Sequence, residues 1–205
     1  MNPLPPRNDS GWIQTYTGRQ FWPLNPEPAD IDIMDIAHAL SMKCRFTGHC
    51  ARFYSVAQHS TLAALACADA RQSITTQLWA LLHDASEAYL PDVARPIKPM
   101  LTGFRQIENH LMNAIAQRFR LPPEMPAIIK EIDLRLLATE RRDLMSAPPI
   151  PWLATENVEP YPAVIEAHDP LKSRTDFLKA FDFLTNLREA EELLAGREQY
   201  AWMFK

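Results

Sequence analysis

The stretch Leu78-Trp79-Ala80-Leu81-Leu82-His83-Asp84-Ala85-Ser86-Glu87 sets three ionisable groups into the end of a nearly unbroken apolar run. Five consecutive apolar residues suit a helix buried on most of its sides. If that helix continues, His83 and Glu87 lie four apart and Asp84 and Glu87 three apart, so the imidazole and both carboxylates project over one sector. Burying such groups unpaired is costly, and the common solutions are a metal ion or a tight ion pair. A His-Asp dipeptide alone is frequent in helices that bind nothing, so the weight of this reading rests on the rest of the chain.

Composition bounds the answer. A chain of 205 residues with 47% hydrophobic content can bury a substantial core in one domain. A formal net charge of −4 and a pI near 5.9 provide no overall basic field to draw the chain to nucleic acid or an anionic membrane. No apolar run approaches the roughly 20 residues of a membrane span, and Met1 to Asp9 has no signal-peptide core, so a cytoplasmic protein is expected. Cys44, Cys50 and Cys67 show no C-x-x-C pairing and read as reduced, half-buried thiols.

Prolines outnumber glycines 18 to 5 and mark the connections between helices. Residues 1–29 read as an extension in which Trp12 to Tyr16 and Gln20 to Trp22 flank Thr17-Gly18, the pattern of a small hairpin. Residues 30–205 read as one helical domain. Its first helix starts near Asp30 with Ile33, Ile36, Ala37 and Leu40 on one face, and His38 packs or faces solvent. Lys43 to Tyr54 lacks periodicity and reads as a loop carrying Arg45, His49 and Arg52. Ser55 followed by Gln58 makes a capping box, which places His59 in the first turns of a second helix.

A third helix is expected from Ile74 to Tyr89, ended by Pro91, and 91–99 forms a rigid loop with Asp92, Arg95 and Lys98. A fourth spans about Gly103 to Arg120, with His110 outside its apolar stripe. A fifth follows Pro122-Pro123 and carries Asp133 one step from Ile132, at the margin of the core. Residues 147–170 read as a long Pro-rich surface excursion. The last helix runs from Leu171 to Leu194, with Phe177, Leu178, Phe181, Leu184 and Leu187 inward and Gly196 as its stop.

Four candidate ligands thus fall on three helices: His59, the pair His83-Asp84, and Asp133. Each alone has an ordinary explanation, such as an ion pair of Asp133 with Arg135 or Arg142. Their order, His, then His-Asp, then a distant Asp, resembles the HD-domain metal-dependent phosphohydrolase superfamily. Tyr54-Ser55-Val56-Ala57-Gln58-His59-Ser60 is similar to that family's first-ligand helix. Leu82 to Glu87 with Pro91-Asp92 and Arg95-Pro96-Ile97-Lys98 resembles the branch containing bacterial 5′-deoxynucleotidases. The Thr-Gly hairpin, Ile36 to Ser41 and Arg45-Phe46-Thr47-Gly48-His49 resemble phage and prophage HD proteins acting on deoxynucleotides. The likeness covers about Arg45 to Leu144.

The helical pattern is that of an all-α fold behind a small N-terminal β-hairpin, and the resemblance implies that the bundle is a single HD domain. It implies His59, His83, Asp84 and Asp133 as metal ligands and Glu87 and Asp92 as acids near the attacking water and leaving group. It also implies Arg45 with Phe46 at the substrate, with Lys98 a looser match. Arg52 and Arg95 add cations for phosphate. The branch has Arg-Trp where this chain has Arg45-Phe46, which leaves sugar discrimination open, and residues after Ala147 have no counterpart.

Two imidazoles and two carboxylates suit one divalent transition metal, Mn, Fe, Co, Ni or Zn. A two-metal site would need more histidines than His110 and His168, which follow singly. The reaction expected first is 5′-phosphate hydrolysis of a deoxynucleoside monophosphate. Triphosphate or pyrophosphate release from a deoxynucleoside triphosphate is the alternative, and a non-catalytic nucleotide-binding regulatory module is the reading from another class. A small-molecule nucleotide is the expected partner, with neither nucleic acid nor membrane, and a homodimer stays open.

Overall fold

The computed structural model describes residues 6–199, and among these the chain is mostly helical. The elements in order are a hairpin of β1 (Ile13–Gln14) and β2 (Gln20–Phe21), then α1 (Ile33–Met42), α2 (Val56–Asp69), α3 (Ile74–Leu82), α4 (Phe104–Arg118), α5 (Ile128–Leu144) and α6 (Pro170–Gln199). The fold is all-α with a small antiparallel N-terminal hairpin, Ile13 opposite Phe21 and Gln14 opposite Gln20. α2 lies at the centre and packs on α1, α3, α5 and α6. Its buried face is built from small residues, Ala57, Ala63, Ala64 and Cys67, which let neighbouring helices approach closely. The buried apolar side chains form one cluster running from Phe21 to Leu184.

Local signals explain most element ends. The Asp32 carboxylate accepts from the Met34 N–H at the start of α1, and the Ser55 hydroxyl accepts from the Gln58 N–H at the start of α2. Only half of the expected capping box forms. The Gln58 side chain instead donates to the Glu166 carbonyl and accepts from the His168 N–H, both in the Pro-rich excursion. The hairpin is held by Asp35, which accepts from the backbone N–H and hydroxyl of Thr17 (2.7 and 2.9 Å), while buried Phe21 stacks on Tyr89 at 3.9 Å between ring centroids.

The third helix departs from expectation. α3 stops at Leu82, and residues 85–88 form a separate 3₁₀ turn. The His83 ring donates from Nδ1 to the Ala80 carbonyl at 2.7 Å, and the Glu87 N–H returns to the Asp84 carbonyl at 2.9 Å. Lys43, whose ammonium donates to the Glu87 and Leu90 carbonyls, holds the far end of the turn. The break has a structural use. Neighbouring side chains on a continuous helix diverge by about 100°, so His83 and Asp84 can face one point only where the helix ends.

Two further differences concern the C-terminal half. The excursion over 147–170 is strapped down along α5 rather than looping free. The Thr139 hydroxyl accepts from the Tyr161 N–H, the Arg142 guanidinium donates to the Tyr161 and Ala163 carbonyls, and Asp143 accepts from the Ile165 N–H. Arg135 donates to the Glu159 carbonyl and lies over the Tyr161 ring, so neither Arg135 nor Arg142 is left for Asp133. α6 runs through Gly196 to Gln199, because a glycine mid-helix is a modest cost and not a stop when no left-handed turn follows it. Leu187 is exposed, and Arg188 is buried beside it, donating to the Phe119 carbonyl. Cys67 is fully buried, not half-buried; burial pushes its thiol up to about 11.

Candidate metal centre and adjoining cavity

His59 enters from the second turn of α2 and is fully buried. Its Nδ1 donates to Glu140 Oε1 at 2.6 Å, which fixes the tautomer and turns the Nε2 lone pair inward. His83, with Nδ1 committed to the Ala80 carbonyl, likewise presents Nε2. The two Nε2 atoms are 3.2 Å apart. Asp133 Oδ1 lies 3.2 Å from the Nε2 of His59, and Asp84 Oδ2 lies 3.3 Å from the Nε2 of His83 and 3.7 Å from that of His59. Three of the four expected ligands therefore converge, and the fourth, Asp84, lies against two of them. The imidazoles and Asp133 bring their ligating atoms within 4.8 Å of one another, with Asp84 closing on the imidazole side.

With both Nδ1 atoms committed as donors, the two Nε2 atoms 3.2 Å apart and flanked by two carboxylates call for a cation between them, a proton or a metal ion. Ligands about 2.0–2.2 Å from one metal lie roughly 3–3.5 Å from their neighbours in tetrahedral or octahedral arrangement, the spacing found here. The donor set of imidazole nitrogen and carboxylate oxygen suits a first-row divalent metal. The charge balance agrees. Burial works against a charge on His59, as does Arg45, yet Glu140 and Asp133 outweigh both and hold its pKa up at about 9. Burial is likewise overcome at His83 by Asp84, which raises it. Asp84 sits far below the usual carboxylate range, against its burial, because of the His83 beside it, and Asp133 is brought down to about 2 by His59. The site is built for positive charge.

Glu140 is the residue that sequence reasoning missed. It is fully buried and accepts from His59, from the Tyr54 hydroxyl at 2.9 Å and from the Arg45 guanidinium at 3.0 Å. Against the cost of burial, Arg45 and His59 hold its carboxyl low. Its signal was present: Glu140 follows Asp133 by two helical turns and so shares its face of α5.

A cavity of about 640 Å³ opens beside this cluster, large enough for a nucleotide-sized ligand. Arg45, Phe46, Asp84, Glu87, Asp92, Arg95, Lys98 and Asp133 all line it, and Arg52 does not, being exposed elsewhere on its loop. Arg45 is placed at the loop's closed base, where its N–H donates to the Tyr54 carbonyl at 2.8 Å. It is not a surface residue: its side chain is 14% exposed, wedged between Glu140 and Asp84 (3.6 Å). Lys98 pairs with Glu108 at 3.0 Å, whereas Arg95 has no ion pair among the described residues. Glu87 is buried with Oε2 unpartnered, and burial, with Asp84 and Asp92 nearby, pushes its pKa up to about 8. Phe46 and Thr47 hold left-handed backbone conformations, φ +56° and +55°, a strain rare for aromatic and β-branched residues and typical of functional sites.

Among the described residues no helix is long and apolar enough to cross a membrane. No family model matches the chain. It is 40% identical over 124 residues, 58% of its length, to an uncharacterized protein of Rhodobacter capsulatus, and that match spans 63% of the relative. It is 42% identical over 134 residues, 65% of its length, to the uncharacterized protein YfdR of Escherichia coli K12, and the match spans 72% of YfdR. With an identity that high over that much of the relative, the chain belongs to the same protein family as YfdR.

Proposed function

We propose that this protein is a metal-dependent phosphohydrolase of the HD type that removes the 5′-phosphate from deoxynucleoside monophosphates. The observation that carries the reading is the convergence of two imidazoles and Asp133, with Asp84 against the imidazoles, at the edge of a cavity that also holds a buried, unpartnered Glu87. His59, His83, Asp84 and Asp133 would hold one Mn, Fe, Co, Ni or Zn ion. Bound there, the metal would supply Lewis acidity toward a phosphoryl oxygen and acidify water.

The chain's own groups account for the rest. In the hydrolysis a water oxygen forms a new bond to phosphorus, the bond from phosphorus to the 5′-oxygen breaks, and that oxygen needs a proton. Glu87, kept protonated near neutral pH by burial, holds a proton at the cavity wall, and Asp92 beside it can take one from water. Arg95 and Lys98 would meet the phosphate, and Arg45, held by Glu140 and Asp84, adds a fixed positive charge to the same cavity.

The cation census favours a monophosphate. Arg45 and Lys98 are already balanced by carboxylates, which leaves Arg95 as the lining cation without one among the described residues. A triphosphate, with about four charges near neutral pH, ordinarily draws several free Lys or Arg groups. Incubating metal-loaded protein with dAMP and with dATP and resolving the products tests the reading. Deoxyadenosine and inorganic phosphate from dAMP are expected. Inert dAMP with triphosphate or pyrophosphate released from dATP would replace the substrate class, and inertness toward both across the five metals would leave a nucleotide-binding module.

A further inference from the structure

We infer that Trp152, carried by the Pro-rich strap, is the platform on which the substrate's nucleobase stacks, so that the base is recognised by its flat face and not by its edge. The inference rests on the nucleotide reading above and names the part of the chain that would grip the base. The cavity is lined by two kinds of surface. Its lining combines carboxylates and cations with the apolar surface of Phe46, Val93, Leu137, Met145, Trp152 and Leu153. A nucleotide combines the same two characters, with a charged phosphate at one end and an aromatic ring at the other.

Trp152 behaves differently from its counterparts. Trp12, Trp22 and Trp79 each donate the indole N–H to a backbone carbonyl, whereas among the described residues Trp152 has no such partner. It is half-buried, lies outside the core cluster and is flanked by the strongly exposed Ile150 and Leu153. A large ring that joins no core and spends no hydrogen bond is ordinarily unfavourable on a surface segment. The backbone nevertheless fixes it: the buried Thr155 N–H donates to the Trp152 carbonyl at 2.9 Å. Phe46 packs beside it, its centroid 6.0 Å from that of Trp152 and its plane tilted by 50°. The strained backbone at Phe46 and Thr47 holds that second ring in place. Two tilted rings form a corner and not a slot, so one face of a base can lie on the indole while its edge abuts the phenyl.

Face recognition is tolerant of base identity because every base has a π-face. The test is equilibrium binding of deoxyadenosine to metal-loaded wild type, Trp152→Phe and Trp152→Leu by calorimetry, with thermal melts confirming folding and phosphate release from dAMP assayed separately. Deoxyadenosine is expected to bind wild type and the Phe variant similarly and the Leu variant roughly ten-fold more weakly, as stacking energies predict. The Leu variant should raise KM for dAMP by a similar factor with kcat little changed, and leave turnover of deoxyribose 5-phosphate unaltered. Equal deoxyadenosine affinity in all three proteins, no binding by wild type, or a Phe variant as weak as the Leu variant would overturn the assignment. Absent phosphate release with this binding pattern intact would instead remove the hydrolase reading and leave the platform standing.

Discussion

Glu140 and Asp133 grip opposite nitrogens of one imidazole: Glu140 accepts the Nδ1 proton of His59 at 2.6 Å, and Asp133 approaches its Nε2 at 3.2 Å. Both carboxylates belong to α5, so one helix sets both the tautomer of the ligand and the place of the ion it would bind. A carboxylate behind a ligating histidine raises its basicity and holds its ring, and losing one typically costs about 10–100-fold in metal affinity. Glu140→Gln should therefore keep the fold and weaken metal binding by about that factor. Competition against a chromogenic chelator reads it, and unchanged affinity would reduce Glu140 to a partner of Arg45.

Metal uptake should be coupled to pH. A protonated imidazole cannot ligate, and Glu140 and Asp133, overcoming the effect of burial, hold the metal-free His59 at about 9. Binding at neutral pH must then expel protons, and affinity should fall as pH drops from 8 to 6. Calorimetry in buffers of different ionisation enthalpy measures the protons released. His83→Ala and Asp133→Ala should abolish stoichiometric binding, and retention of a full equivalent of metal by either would remove that residue from the ligand set.

Glu87→Gln separates ligation from catalysis. Glu87 reaches the cavity on the 3₁₀ turn after the ligand pair and lies outside the converging cluster. The variant should keep its metal and lose about 10²–10⁴ in kcat, the range for a positioned acid or base. Loss of metal would make Glu87 a ligand.

The sequence exposed those parts of the architecture that depend on near neighbours along the chain. His59 was legible because Ser55 caps its helix, and His83-Asp84 because an apolar run frames it. The break at Leu82 was not, because it depends on the His83 ring reaching back to a carbonyl and on Lys43 capping the turn from a distant segment. Trp152 was equally hidden: nothing local distinguishes a tryptophan in a Pro-rich stretch until the strap lays it beside Phe46. Gln58 shows the same limit, since its cap partner was traded for the backbone of 166–168.

The strap's attachment should be visible in stability. Asp143 accepts two hydrogen bonds from Arg142, at 2.6 and 2.8 Å, and one from the Ile165 N–H at 2.9 Å. The Arg142 guanidinium holds the Asp143 carboxyl below its ordinary value of 3.8. A depressed carboxylate contributes stability that is fully present above the unfolded value and is lost as pH falls through the folded one. Asp143→Asn should cost about 1–2 kcal/mol near pH 7, and the gap from wild type should narrow as pH falls below about 4 and close once it is below the depressed folded value. Urea melts at pH 7 and pH 3 measure it. A gap undiminished at the lower pH would mean that the charge is not what holds the strap.

Arg45 carries the most discriminating variant, because it both braces buried carboxylates and lines the cavity of the proposed substrate site. Its guanidinium is 3.0 Å from Glu140 and 3.6 Å from Asp84, so its removal leaves a fully buried carboxylate without its cation. Breaking a buried ion pair by deleting one partner costs about 3–5 kcal/mol, which in a chain of this size lowers Tm by roughly 10 °C. Arg45→Ala should therefore lose stability as well as kcat/KM, where a residue serving phosphate alone would lose only the second. Arg45→Lys supplies the control. Lysine restores one positive charge but cannot fork between Asp84 and Glu140, so much of the stability should return while kcat/KM stays depressed. A lysine variant that recovers both would show that only charge is needed there. An alanine variant with unchanged Tm would show that Arg45 serves the substrate and not the framework.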